Sequence, residues 1–130
     1  MLLRRHMPEY SKKIVDHFTH PRNAGEMERF DVKAFIGNPV CGDQIHLFAR
    51  VEDDRIVACS FLGYGCAASL ATGSILTEEI KGRSFDELLK WEESDIVTMA
   101  GGFSPTQRHC ATLGRDVVRK LVESYRSGTH

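Results

Sequence analysis

The stretch Asp43-Gln44-Ile45-His46-Leu47-Phe48-Ala49-Arg50-Val51 decides the fold, because every second side chain from Ile45 to Val51 is apolar. One face carries Ile45, Leu47, Ala49 and Val51, and the other carries Gln44, His46, Phe48 and Arg50. A period of two residues is typical of a strand buried on one side, so His46 is expected to be solvent-exposed. Glu52-Asp53-Asp54 predicts a turn and residues 55–62 a second strand, which together form a hairpin. The apolar residues 32–37 predict a third strand.

Helices follow the strands along the chain. Apolar side chains at helical spacing predict one long helix beginning at Cys66 and ending near Ile80, and another over residues 107–125. Shorter helices are predicted over residues 8–18, over residues 85–91 with a Ser84 and Glu87 capping box, and from Ser94 to residue 99. Strands early and helices later indicate an α+β fold, with a three-stranded antiparallel sheet and helices packed on one face.

Composition limits the classes of function. The 130 residues are expected to form one domain, residues 1–130, and 42% of them are hydrophobic. The formal net charge of −1 argues against nucleic acid or an anionic membrane as partner, since both need a basic surface. No apolar run is long enough to span a bilayer, and the basic start lacks the apolar stretch of a secretory signal. A cytoplasmic location with reduced thiols is therefore expected.

The loop Asn38-Pro39-Val40-Cys41-Gly42-Asp43 places a thiol and a carboxylate two positions apart on a predicted turn. Cys66 and Cys110 lie at the predicted starts of two helices, where the dipole favours a thiolate and is expected to lower both pKa values. Three thiols beside Asp43 and His109 predict a site for zinc or for an iron–sulfur cluster. The fourth cysteine, Cys59, shares a strand face with apolar neighbours and is interpreted as core packing.

Two other interpretations stay open from the residues alone. The pair His109-Cys110 could belong to a Cys–His nucleophilic enzyme, although neighbouring side chains on a helix point about 100° apart. The cysteines could also be structural only. His17 and His20 are interpreted as favourable cations near the end of the first helix rather than as ligands.

Four motifs carry a resemblance to a known family. They are Asp16-His17-Phe18-Thr19-His20-Pro21-Arg22-Asn23, Gly37-Asn38-Pro39-Val40-Cys41-Gly42-Asp43, Gly63-Tyr64-Gly65-Cys66 and His109-Cys110. Through them, residues 10–125 resemble the IscU/NifU-type iron–sulfur cluster assembly scaffold proteins, the NifU N-terminal domain family. The resemblance implies the SufE/IscU-like fold and a scaffold domain that is not itself an enzyme.

The same resemblance implies a mechanism and partners. A cysteine desulfurase supplies sulfur as a persulfide, iron and electrons come from separate donors, and the finished [2Fe–2S] cluster passes to recipient apo-proteins. The implied ligands are Cys41, Cys66 and Cys110, with Asp43 or His109 as fourth donor, and zinc or iron can occupy the same site. Cys110 is the first choice as persulfide acceptor and Cys41 the second. A homodimer is the oligomeric state to be tested.

Two departures from the family refine the expectation. Many members carry a Leu-Pro-Pro-Val-Lys segment that binds an Hsp70-type chaperone, whereas residues 103–107 here keep only Pro105, which argues against that chaperone as partner. A related branch of zinc-dependent sulfur acceptors, which are sulfurtransferases, carries an insertion before the last cysteine that this chain has no room for. That branch is the alternative function.

Overall fold

The computed structural model of the protein describes residues 10–37 and 42–128. Its elements, in chain order, are α1 (Lys12–Thr19), β1 (Val32–Gly37), β2 (Gln44–Glu52), β3 (Arg55–Tyr64), α2 (Ala67–Ile80), α3 (Phe85–Leu89), α4 (Glu93–Met99), a 3-10 turn (Pro105–Gln107) and α5 (His109–Ser127). The strands form one antiparallel sheet in the order β1-β2-β3. The predicted α+β class and three-stranded antiparallel sheet are confirmed.

The β2–β3 hairpin follows from the alternation in the sequence. Leu47 pairs with Phe61 and Ala49 with Cys59, so the apolar faces of both strands lie on the same side of the sheet. The predicted turn is confirmed, with left-handed φ angles of 53° at Asp53 and 59° at Asp54. Two such residues in succession match the twist of a hairpin, and Asp tolerates this conformation better than most residues.

The core lies between the sheet and the two long helices. Helix α2 packs against β2 and β3, and α5 packs against β1 and β2. The predicted stripe of α5 is confirmed, since Leu113, Val117 and Leu121 are all buried in the main core cluster. Burying each such side chain contributes about 1.5–3 kcal/mol. The starts of α2 and α5 are thereby held on the same side of the sheet.

Helix α1 packs on α2 rather than on the sheet. Ser11 caps it by accepting a hydrogen bond from the Ile14 N–H, and Ile14 is buried. The predicted apolar face was partly wrong, because Phe18 is 44% exposed while His17 is only 3% exposed. The reason is the hydroxyl of Ser74 on α2, which lies 2.8 Å from His17 Nδ1 and gives the imidazole a buried polar partner.

His17 is therefore not the exposed helix-end cation that the sequence predicted. Burial lowers its pKa, so the neutral imidazole is favoured although Glu78 lies 3.4 Å from Nε2. The capping box of Ser84 with Glu87 is confirmed at α3. The predicted Ser94 cap was wrong, because Asp95 accepts the N–H of Glu92 and α4 begins at Glu93.

The second face of the sheet is less polar than its sequence predicted. Phe48 is buried, because the Phe30 ring lies edge-on to it with ring centroids 5.7 Å apart. His46 was expected in solvent but is half-buried, with its ring stacked on Phe35 at 4.8 Å. Across the part of the chain that the structure describes, no helix combines the length and apolar character needed to cross a membrane.

Candidate metal centre

Asp43 lies immediately before β2, and its side chain is buried against the loop that leads into α2. Its Oδ1 accepts a hydrogen bond of 3.0 Å from the Cys66 N–H. Gly65, with φ of +117°, makes this approach feasible, because a Cβ there would overlap the Asp43 carboxylate. Any other residue at position 65 would push Asp43 out of place. The motif around Cys66 thus needs its second glycine for a steric reason.

Cys66 is the N-cap residue of α2 and is half-buried. Its Sγ lies 3.6 Å from Asp43 Oδ2 and 3.6 Å from Ser69 Oγ. The pKa of the thiol is lowered to about 5, chiefly by a hydrogen bond from Cys110 and also by the Ser69 hydroxyl and N–H, while burial opposes this shift. The predicted lowering of the Cys66 pKa is confirmed in direction, but its main cause is the hydrogen bond from Cys110 rather than the helix dipole.

Cys110 is the second residue of α5, and its side chain is 0% exposed. Its Sγ lies 3.4 Å from Ser69 Oγ. The predicted lowering of its pKa was wrong: donation to the Cys66 sulfur and burial both raise the pKa of this thiol. Of two neighbouring sulfurs, one keeps its proton so that the other can be charged.

His109 joins Asp43 to this sulfur pair. Its Nε2 lies 2.5 Å from Asp43 Oδ2 and 3.7 Å from Cys110 Sγ. Burial alone would raise the pKa of Asp43, but hydrogen bonds from His109, the Cys66 N–H and Ser69 outweigh it and lower that pKa. The carboxylate therefore accepts, and Nε2 carries the donated proton.

The expectation that His109 and Cys110 point apart was wrong. Their Cβ atoms diverge on the helix, but the imidazole is long enough for Nε2 to return toward the Cys110 sulfur. The Cys–His pair is consequently part of one cluster with Asp43 and Cys66, rather than two unrelated side chains.

Four donor atoms converge in this cluster, one each from Asp43, Cys66, His109 and Cys110. All four lie within 4.8 Å of one another. Two sulfurs, an imidazole nitrogen and a carboxylate oxygen fit tetrahedral zinc, whereas a [2Fe–2S] cluster normally takes four cysteines. The predicted fifth donor, Cys41, lies outside the described residues, so its place in the site stays a prediction.

Cys59 is kept apart from this cluster, as predicted. It is buried in the main core beside Phe61, and burial raises its pKa to about 12. A neutral thiol in an apolar environment is neither a good nucleophile nor a good ligand. His17, His20 and His46 also stand outside the group of candidate ligands found in residues 10–37 and 42–128.

Ser69 is the residue at the centre that the sequence interpretation missed. It contacts the sulfurs of both Cys66 and Cys110 from within α2. The available signal was its spacing, since a residue three positions after Cys66 lies on the same side of a helix, one turn along. Among many small residues in α2, only the folded arrangement distinguishes it.

Comparison with known proteins agrees with this geometry. Residues 9–130 match the family described as NifU-like N terminal domain. The chain is 40% identical over 116 residues to "Iron-sulfur cluster assembly scaffold protein IscU 1" of Archaeoglobus fulgidus, covering 89% of this chain and 76% of that protein. It is 34% identical over 122 residues to the Escherichia coli K12 scaffold protein IscU, covering 91% of this chain and 94% of that protein.

Two longer or more distant relatives complete the comparison. The chain is 35% identical over 122 residues to the nitrogen fixation protein NifU of Azotobacter chroococcum, but spans only 40% of that protein. The crystal structure of the N-terminal part of a nitrogen-fixing NifU-like protein from Brucella abortus shares the fold, with a TM-score of 0.72 at 17% identity over 90% of this chain and 94% of that one. With its family match over residues 9–130, the chain belongs to the NifU-like N-terminal domain family.

Proposed function

We propose that this protein is a scaffold on which a [2Fe–2S] cluster is assembled from desulfurase-derived sulfur and iron, and from which the cluster passes to apo-proteins. The observation that carries the proposal is the convergence of four donor atoms, from three separate segments, within 4.8 Å. Family membership supports it, as do relatives that are themselves named iron–sulfur cluster assembly scaffold proteins.

The donor set suits an iron–sulfur cluster that must later be released. Cys66 and Cys110 supply soft sulfur, whereas the Asp43 oxygen is a hard donor that suits iron–sulfur chemistry less well. Asp43 is also held by hydrogen bonds from His109 and the Cys66 N–H, so the carboxylate has partners to return to when the cargo departs. Either Asp43 or His109 completes the set as fourth donor, with Cys41 as the proposed third sulfur.

Sulfur delivery follows from ordinary thiol–persulfide exchange. A thiolate of the scaffold attacks the outer sulfur of the desulfurase persulfide, a new S–S bond forms, and the desulfurase thiolate leaves. We propose Cys110 as first acceptor and Cys41 as second. Because Cys110 is fully buried and its pKa is raised, it accepts sulfur only after losing its proton and becoming exposed to the desulfurase.

The remaining parts of the proposal follow from the scaffold role. The protein forms one domain over residues 1–130, acts in the cytoplasm and binds its cargo rather than catalysing a reaction of its own. Its partners are a cysteine desulfurase, donors of iron and electrons, and recipient apo-proteins. The loss of all but Pro105 from the chaperone segment argues for cluster release without the dedicated Hsp70-type partner. A homodimer stays a prediction.

A second candidate function is a zinc-dependent sulfur acceptor for a cysteine desulfurase. The observation that favours it is the mixed oxygen, nitrogen and sulfur donor set, which fits tetrahedral zinc without any iron. In this case the bound zinc would stay in place while sulfur moved through one cysteine.

Anaerobic reconstitution with iron, cysteine and a desulfurase distinguishes the two functions. A scaffold becomes brown with visible absorption bands, and it passes the cluster to an apo-ferredoxin. Cys66→Ser should not load, whereas Cys59→Ser should load as the wild type does. A colourless zinc protein that accelerates desulfurase turnover would contradict the scaffold role and support the second candidate.

A further inference from the structure

The hydroxyl of Ser69 occupies the interior of the centre without being one of its candidate ligands. The residue is 0% exposed, and its Oγ lies 3.4 Å from Cys110 Sγ and 3.6 Å from Cys66 Sγ. These contacts connect the start of α2 to the start of α5. A fully buried hydroxyl between two sulfurs has no access to water as an alternative partner.

The two threonine hydroxyls of α2 behave differently from Ser69. Thr72 donates to the Ala68 carbonyl and Thr77 to the Ser74 carbonyl, both at 2.7 Å, as helical hydroxyls commonly do. The Ser69 hydroxyl instead contacts the two thiols, and it also forms a hydrogen bond with Asp43. The Ser69 hydroxyl therefore points toward the centre rather than toward a carbonyl of its own helix.

A hydroxyl has one hydrogen to donate and two lone pairs that accept. The Ser69 hydrogen has three acceptors around it, which are the Cys66 sulfur, the Cys110 sulfur and the Asp43 carboxylate. Once a metal holds both sulfurs as thiolates, the Cys110 proton is gone. The Ser69 hydrogen can then stabilise one metal-bound thiolate.

We propose that Ser69 is a positioning residue of the centre. Its hydroxyl fixes the positions of the Cys66 and Cys110 sulfurs relative to each other and donates a hydrogen bond to a metal-bound thiolate. The inference rests on the proposed function, because it takes Cys66 and Cys110 as ligands. Groups that orient ligands from outside the coordination sphere typically change metal affinity about 10–100-fold when removed. The loss of the Ser69 hydroxyl should therefore lower the metal affinity as well as the free energy of unfolding.

Ser74 offers a matched control on the same helix. It is also fully buried, but its hydroxyl contacts His17 Nδ1 and accepts the Arg22 N–H, each at 2.8 Å. Ser74→Ala removes the same atom as Ser69→Ala and loosens the docking of α1. It leaves the contacts between Ser69 and the two sulfurs in place.

Cobalt(II) loaded anaerobically is the probe, because its thiolate charge-transfer bands report on the sulfur ligands directly. We expect Ser69→Ala to move these bands to lower energy and to release cobalt to a chelator about tenfold faster than wild type. Ser74→Ala should keep the wild-type bands and release rate, whatever it does to the melting temperature. Ser69→Ala behaving like Ser74→Ala in both measurements would overturn the inference.

Two further comparisons keep the test decisive. Thr and Val have nearly the same shape, so Ser69→Thr and Ser69→Val differ mainly in the hydroxyl; only Thr should retain the bands and the slow release. Equal behaviour of these two variants overturns the role of Ser69 even if Ser69→Ala does not fold. Wild-type protein that takes up cobalt without thiolate bands would overturn the metal centre itself, which distinguishes failure of the proposed function from failure of this inference.

Discussion

The starts of helices α2 and α5 carry the same chemical group in opposite states. Cys66 is the N-cap residue of α2, is half-buried, and has a pKa lowered to about 5. Cys110 is the second residue of α5, is fully buried, and has a raised pKa. Both thiols lie where a helix dipole favours negative charge. Only one of them is a thiolate.

The difference shows that neighbours outweigh the dipole at this centre. Cys66 receives hydrogen bonds from Cys110 and from Ser69, whereas Cys110 keeps its proton as the donor of the first bond and lies deeper in the protein. Two adjacent thiolates without a metal would repel each other in a medium that screens charge poorly. The two sulfurs therefore carry one negative charge between them. A bound cation would stabilise a second charge and so allow Cys110 to lose its proton.

The largest expected difference is in the rates at which the cysteines of the apo-protein react with an alkylating reagent. At pH 7, Cys66 is mostly thiolate, while Cys110 and Cys59 are protonated and buried. We expect alkylation by iodoacetamide to be at least about 100-fold faster at Cys66 than at either of them. Peptide mapping by mass spectrometry over time measures the rates. Equal rates at Cys66 and Cys110 would contradict the assigned charge states.

The second-largest expected effect is on the pKa of Cys66 when its partner Cys110 is removed. Cys110→Ala takes away the main cause of the low Cys66 pKa, so that pKa should rise from about 5 by at least one unit, roughly a tenfold change in proton affinity. The Cys66 thiolate would then be present only at higher pH, which ultraviolet absorbance against pH detects. Cys59→Ala is the control and should leave the Cys66 titration unchanged.

Asp43 is expected to have a smaller effect, on release rather than on charge. Asp43→Ala removes the hard oxygen donor, so loss and transfer of the cluster should both slow several-fold. The decay of visible absorbance, and the appearance of holo-ferredoxin, follow the two processes. Asp31→Ala is a suitable control, because Asp31 also accepts a backbone N–H, from Val51 at 2.7 Å, away from the centre. Transfer as fast as wild type or faster would contradict the role of Asp43.

The smallest effect is expected at Cys59. Cys59→Ala removes a buried sulfur from the core, so the free energy of unfolding should fall by about 1 kcal/mol. Iron and sulfide content after reconstitution should equal that of the wild type. A folded Cys59→Ala protein that cannot assemble a cluster would show that this thiol is needed at the centre after all.

Most of the fold could be predicted because its signals are local. Alternation in β2, the acidic turn at Asp53 and Asp54, and the stripe of α5 each depend on residues close together in the chain. The face of α1 could not be predicted, because it depends on Ser74, which lies far along the sequence and offers His17 a buried partner. The packing of Phe30 over Phe48 is non-local for the same reason.

The candidate site shows the same division. Its candidate ligands could be named from motifs, and the structure brings four of them, Asp43, Cys66, His109 and Cys110, together. Their charges could not be assigned, since the pKa values of the two thiols depend on a hydrogen bond between different helices. The part played by Ser69 was equally hidden, because its sulfur contacts exist only after α2 and α5 have packed.

The donors come from three segments that are neighbours only in the completed fold: the start of β2, the start of α2 and the start of α5. An ion held by all three acts as a reversible cross-link that closes two long stretches of chain at once. Such a cross-link shifts the balance between folded and unfolded molecules toward the folded state for as long as the ion stays. Delivery of the cargo would therefore leave behind a looser protein, and the stability of the molecule would report whether it is loaded or spent.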